Sequence, residues 1–89
     1  MSTHTSHPDI IKRLKRAEGH LKSIITMMEE GRPCLELAQQ LQAVESAVGN
    51  AKKTLVHDHI DHCLEHAVRD GMQNPDDTIR EFKAITKYL

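Results

Sequence analysis

Residues 34–68 read CLELAQQLQAVESAVGNAKKTLVHDHIDHCLEHAV, thirty-five positions without a proline. Leu37, Leu41, Val44, Val48, Ala51 and Leu55 recur at alternating steps of four and three. That spacing brings apolar side chains onto one face of a helix. The pattern predicts a single long helix over about residues 33–69, stopped by Gly71. At 1.5 Å per residue it would run for roughly 50 Å. The alternative breaks the chain at Gly49-Asn50 and folds it back as a hairpin. The apolar stripe passes through that point in phase and favours the continuous helix.

Upstream, Ile10, Leu14, Ala17, Leu21, Ile24 and Met28 repeat the same spacing and predict an amphipathic helix over about 8–30. Ser6 or His7 serves as its cap, Pro8 falls in the first turn, and Asp9 sits near the positive end of the helix dipole. Gly31 ends this helix, and Arg32-Pro33 turns the chain. Residues 1–7 read as a flexible polar tail. Downstream, Asn74 is placed to cap a short helix over 75–88, with Pro75 first and Asp76 and Asp77 in the opening turn. Ile79, Phe82, Ile85 and Leu89 line it. There is no strand alternation, repeat or low-complexity segment. The expectation is one all-α domain spanning 1–89, a three-helix protomer with a long central helix.

Phe82 and Tyr88 are the only aromatic residues among the 89. A chain of this length buries roughly 60–65% of its unfolded surface when it folds alone. With so few large side chains, an isolated protomer would be marginal, so an oligomer is expected. The formal net charge of −1 names no partner, but its distribution is uneven. Lys12, Arg13, Lys15, Arg16 and Lys22 cluster early, interrupted by Glu18, while Asp58, Asp61, Glu65, Asp70, Asp76 and Asp77 come later. This suggests a basic face on a neutral body. No apolar run is long enough to cross a membrane and no signal-peptide core is present. The chain is therefore expected in the cytoplasm, where two cysteines serve as ligands or core residues rather than as a disulfide.

His59 and Cys63 lie four residues apart, so on a helix they share a face, a spacing that suits two ligands of one metal ion. Cys34, at the other end of the same helix, is about 38 Å from His59 at helical rise. It cannot join them within one continuous helix. An antiparallel pair of these helices crossing near Val48 solves the problem. Cys34 is 14 positions before Val48, and His59 and Cys63 are 11 and 15 after it. Cys34 of one chain thus lands beside His59 and Cys63 of the other, and small Ala47, Gly49 and Ala51 permit close approach. A two-fold dimer would carry two such sites. Taken alone, a His/Cys pair is a common accident, and a buried Cys is usually a small hydrophobe. The symmetric placement of Cys34 favours the metal. His57, His62 and His66 are read as solvated or hydrogen-bonded. His4 and His7 are tail residues, either of which could fold over as a fourth ligand.

Cys34, then 24 residues, then His59-x-x-x-Cys63, inside RPCLELAQQLQAVESAV…LVHDHIDHCLEHA, resembles the CsoR/RcnR family of bacterial metal-sensing repressors. The Gln-Gln-Leu-x-Ala-Val stretch and the closing Tyr-Leu fit as well, and the resemblance covers nearly the whole chain. It implies helical dimers that pair into tetramers, with a metal site shared between subunits. It implies an apo protein that represses a promoter, commonly of an efflux transporter, and is released by metal. Cys-His-Cys alone resembles the copper(I) sensors. An added amino-terminal His resembles the nickel and cobalt sensors, whose tail closes over the site, and His4 and His7 are candidates for it. Position 2 is Ser rather than Pro, so the formaldehyde-sensing branch fits poorly. Pro33 precedes the first cysteine, where copper sensors often place a Tyr. Glu45 stands where an Arg is frequent, a departure that bears on how the second helix contacts DNA.

Thiolate and imidazole donors favour copper(I), nickel(II), cobalt(II) and zinc(II). The effector expected here is nickel(II) or cobalt(II), with copper(I) second. Double-stranded operator DNA is the expected partner, held by Lys12, Arg13, Lys15, Arg16 and Lys22 with Lys52 and Lys53, mainly through phosphates. The bland reading of the same residues is a solvated helix face. No membrane and no small-molecule substrate is expected. A metal carrier without a DNA role is the rival, and a structural zinc site is a lesser one. An enzyme is disfavoured: a zinc deaminase would need a Glu that is absent from the expected motif.

Overall fold

The computed structural model describes residues 6–71 and 75–89, and they form three helices: α1 (His7–Glu29), α2 (Cys34–Asp70) and α3 (Pro75–Thr86). Among the described residues there is no strand. α1 starts with Pro8 in its first turn, where a missing N–H costs nothing, and with Asp9 near its positive end. Ser6 occupies the cap position but makes no side-chain capping bond. His7, read from the sequence as part of the tail, is the first residue of α1. The Asn74 cap of α3 and residues 1–5, His4 among them, lie outside the described residues.

α1 ends because Gly31 takes φ +74°, a conformation that a Cβ makes costly. Its amide bonds to Met28 O (3.1 Å), and the Arg32 amide reaches back to Met27 O (3.0 Å). These bonds satisfy carbonyls that would otherwise be orphaned at the helix end. Pro33 then holds Arg32 away from helical angles and opens α2 from an extended ψ of 141°. Arg32 bridges forward to Glu36 through both Nε (3.3 Å) and Nη2 (2.5 Å). α2 runs 37 residues without interruption, through Gly49-Asn50, and stops at Gly71 with φ +75°. The hairpin alternative is excluded. The molecule measures 57 × 23 × 13 Å, a rod whose length is set by α2.

α1 folds back along the first part of α2. Ile10, Ala17 and Ile24 of α1, with Ala51 and Val56 of α2, are the buried apolar residues. The stripe expected on α1 therefore splits. Its 10/17/24 subset, one residue per seven, faces α2, while Leu14, Leu21 and Met28 are 43–57% exposed, as are Ile11 and Ile25. On α2, Leu41, Val48 and Leu55 are likewise exposed. A fully buried Ile or Val contributes roughly 1.5–3 kcal/mol, against roughly 1–2 kcal/mol of backbone entropy for every residue ordered. Three such side chains cannot carry a rod of this length. α3 rests on the far part of α2 with no buried residue of its own, and only Thr78, Ile85 and Thr86 are half-buried.

Candidate metal centre and nucleic-acid interface

Cys34 is the first residue of α2 and is exposed. His59 and Cys63 lie one turn apart in the other half of the helix, both half-buried. Because α2 is unbroken, Cys34 is held at the opposite end of a rigid rod. Among the described residues, no three His, Cys, Asp or Glu side chains of the chain converge as a metal-holding set. The continuity of α2 thus separates Cys34 from His59 and Cys63 within a protomer.

α3 supplies a partner that sequence reasoning missed. His59 Nε2 donates to Glu81 Oε1 at 3.0 Å, with the two side chains 28% and 61% exposed. A pair this open to solvent adds little stability. Its consequence is orientation: a carboxylate on one ring nitrogen fixes the tautomer and the plane of the imidazole. Nothing in the spacing from His59 to Glu81 announces the contact, because it joins two different helices.

The basic residues Lys12, Arg13, Lys15, Arg16, Lys22, Lys52 and Lys53 are all exposed. Arg13 and Arg16 lean into a cleft of about 410 Å³ between α1 and α2, lined also by Asp9, Ala17, His20, Ala47 and Asn50. Lys12, Lys15 and Lys22 do not line it. Within the cleft Arg13 Nε donates to Asp9 Oδ2 (3.0 Å). His20, which the sequence did not single out, closes one wall and bonds across to Gln40 Oε1 through Nε2 (2.5 Å). With His20 Nε2 engaged by Gln40, what the cleft offers an oxyanion such as a backbone phosphate is the guanidinium groups of Arg13 and Arg16, the first of them shared with the Asp9 carboxylate.

An all-helical rod with an arginine-bearing cleft beside the middle of α2 and a thiol–imidazole pair farther along the same helix has the build of a small helical regulator. The description "metal-sensitive transcriptional repressor" matches residues 6–88, and the chain belongs to that family. The copper-sensing transcriptional repressor CsoR of Bacillus subtilis is 38% identical over 80 residues, covering 88% of this chain and 79% of that one. The copper-sensing transcriptional repressor RicR of Mycobacterium tuberculosis is 36% identical over 78 residues, covering 88% and 81%. CsoR of Mycobacterium ulcerans is 41% identical over 61 residues, which take in 68% of this chain, and the chain spans about half of that relative's length (52%). Among solved structures, the nickel-responsive transcriptional regulator InrS matches with a TM-score of 0.83 at 30% identity, over 100% of this chain and 99% of that one. No helix among the described residues is long and apolar enough to cross a membrane.

Proposed function

We propose that this protein is a cytoplasmic repressor, not an enzyme, that holds operator DNA when metal-free and releases it on binding nickel(II) or cobalt(II), controlling a metal efflux gene. The observation that carries the reading is the unbroken α2, with Cys34 at one end and His59 and Cys63 toward the other. Two copies laid antiparallel along α2 bring Cys34 of one protomer to His59 and Cys63 of its partner. The exposed stripes Leu14/Leu21/Met28 and Leu41/Val48/Leu55 supply the apolar faces such a dimer buries. Two dimers then pair into a homotetramer, which multiplies the basic surface.

Two thiolates and an imidazole form a donor set for a borderline or soft ion. With Nε2 engaged by Glu81, His59 ligates through Nδ1. His7 in the first turn of α1, or His4 ahead of it, supplies a further nitrogen, and a fourth donor is what favours nickel(II) or cobalt(II) over copper(I). The InrS likeness agrees with nickel. The copper-sensing names of the sequence relatives favour copper(I) as the second reading. Bound metal ties α2 of one protomer to the start of α2 in the other and changes how the protomers sit. DNA is gripped through Arg13 and Arg16 in the cleft and Lys12, Lys15, Lys22, Lys52 and Lys53 around it, chiefly at phosphates.

The experiment is an anaerobic titration of the protein, bound to labelled DNA from upstream of its own gene, with each ion in turn. Release by nickel(II) or cobalt(II) at one ion per protomer is expected. Release by copper(I) alone moves the assignment to the second reading. Stoichiometric metal binding by a protein that never binds this DNA makes it a metal carrier.

A further inference from the structure

The ligands in α2 and the cationic cleft must communicate, and the route has to cross from α2 to α1. The buried contacts between the two helices do not fix their register well. Ala17 and Ala51 are small, and Ile10, Ile24 and Val56 offer non-directional apolar surface over which one helix can slide. The Arg13–Asp9 and Arg32–Glu36 bonds link residues four apart in sequence and leave the α1–α2 register unconstrained. The His20–Gln40 bond is different in kind. It joins residues 20 apart in sequence, crosses from the middle of α1 to α2, and is part-buried. A directional bond shielded from water is satisfied in one register and lost when the helices shift by a fraction of a turn.

Its two ends touch the two functional surfaces. Gln40 lies six residues after Cys34 on the same rigid helix, about 9 Å at helical rise. His20 lines the same cleft wall as Arg16 and Arg13, one and two turns away. We infer that the His20–Gln40 hydrogen bond is the register pin through which metal occupancy on α2 repositions the cationic cleft on α1, with His20 and Gln40 as positioning residues that touch neither metal nor DNA. The inference rests on the function proposed above. Metal binding displaces the start of α2, Gln40 moves with it, and His20 carries Arg13 and Arg16 out of phosphate register.

The test uses the full chain and three variants: His20→Leu, Gln40→Leu and His20→Gln. The last keeps an amide that can donate to Gln40 Oε1 and is the rescue variant. Nickel(II) and, in a parallel arm, copper(I) are added to protein on labelled upstream DNA. DNA affinity is followed by anisotropy and metal loading by the thiolate-to-metal absorption band. The coupling ratio, apo over metal-bound DNA affinity, typically falls between about 5 and 150 in such systems. Both Leu variants should load metal as the wild type does and bind DNA within about threefold of it when apo, yet lose most of that ratio. His20→Gln should restore it. Leu variants that release DNA like the wild type overturn the inference, as does a His20→Gln variant no better coupled than His20→Leu, or a Leu variant that already fails to bind DNA when apo. A wild-type protein that neither metal releases overturns the function itself, an outcome distinct from these.

Discussion

The two halves of α2 differ in make-up and in surroundings: His57, His59, His62 and His66 all fall after Val56, and none falls between Cys34 and Val56. From Cys34 to Val56 the helix is backed by α1, and both of its buried residues, Ala51 and Val56, lie there. Beyond Val56 none of its described residues is fully buried, and α3, which packs on α2, buries nothing completely. Leu64 is half exposed and Val68 is 87% exposed. Yet the loosely covered half holds His59, Cys63 and the contact to Glu81. The well-backed half acts as scaffold. In the function proposed above, the other half presents His59 and Cys63 on a surface that a second protomer finishes, and low local stability there fits a binding role.

Breaking the ligand half outright should have the largest effect. Replacing Cys63 by Ser should lower metal affinity by more than the roughly 10–100-fold typical of losing an outer-sphere partner, with helicity unchanged by circular dichroism. The sharper form mixes Cys34→Ala protomers with protomers carrying both His59→Ala and Cys63→Ala. Neither parent should bind, and the mixed dimer should regain one site of two. Failure to regain any site removes the shared centre.

The scaffold half is probed by Ile24→Ala, which opens a cavity at a residue 1% exposed and should cost about 2–5 kcal/mol in denaturant unfolding. Glu81→Gln tests whether α3 serves the ligand half by orientation. Metal affinity should fall by about 10–100-fold, with the melting temperature barely moved because the pair is open to solvent. Replacing Arg13 and Lys15 together by Ala should weaken DNA binding and reduce the salt slope by about 2 without touching metal affinity. The smallest change is Val68→Ala, expected within about 0.5 kcal/mol. A larger loss would mean that a second protomer covers the far half of α2.

Much of this was legible along the chain. The proline-free run and its in-phase stripe announced α2, Gly31 and Pro33 announced the turn, and the separation of Cys34 from His59 and Cys63 within one chain followed from helical rise. What was not legible was which member of a wide apolar stripe faces inward. Leu14 and Ala17 sit on neighbouring lines of α1, and periodicity cannot say that Ala17 takes the interior while Leu14 is left outside. Glu81 and His20 were missed for a related reason. Both act across elements, and the docking of one helix on another is not a local property. That Arg13 and Arg16 line a cleft with Ala47 and Asn50 likewise depends on how α1 docks on α2.

By itself, then, the sequence determined the helices, their ends and the separation of Cys34 from His59 and Cys63, because backbone hydrogen bonding, proline and glycine geometry and a constant rise per residue act within a few positions. Only the tertiary structure decided which lines of each helix are buried, that His59 meets Glu81, and that His20 locks onto Gln40. Those choices depend on how whole helices pack, where side chains distant along the chain compete for the same interior and the same hydrogen bonds.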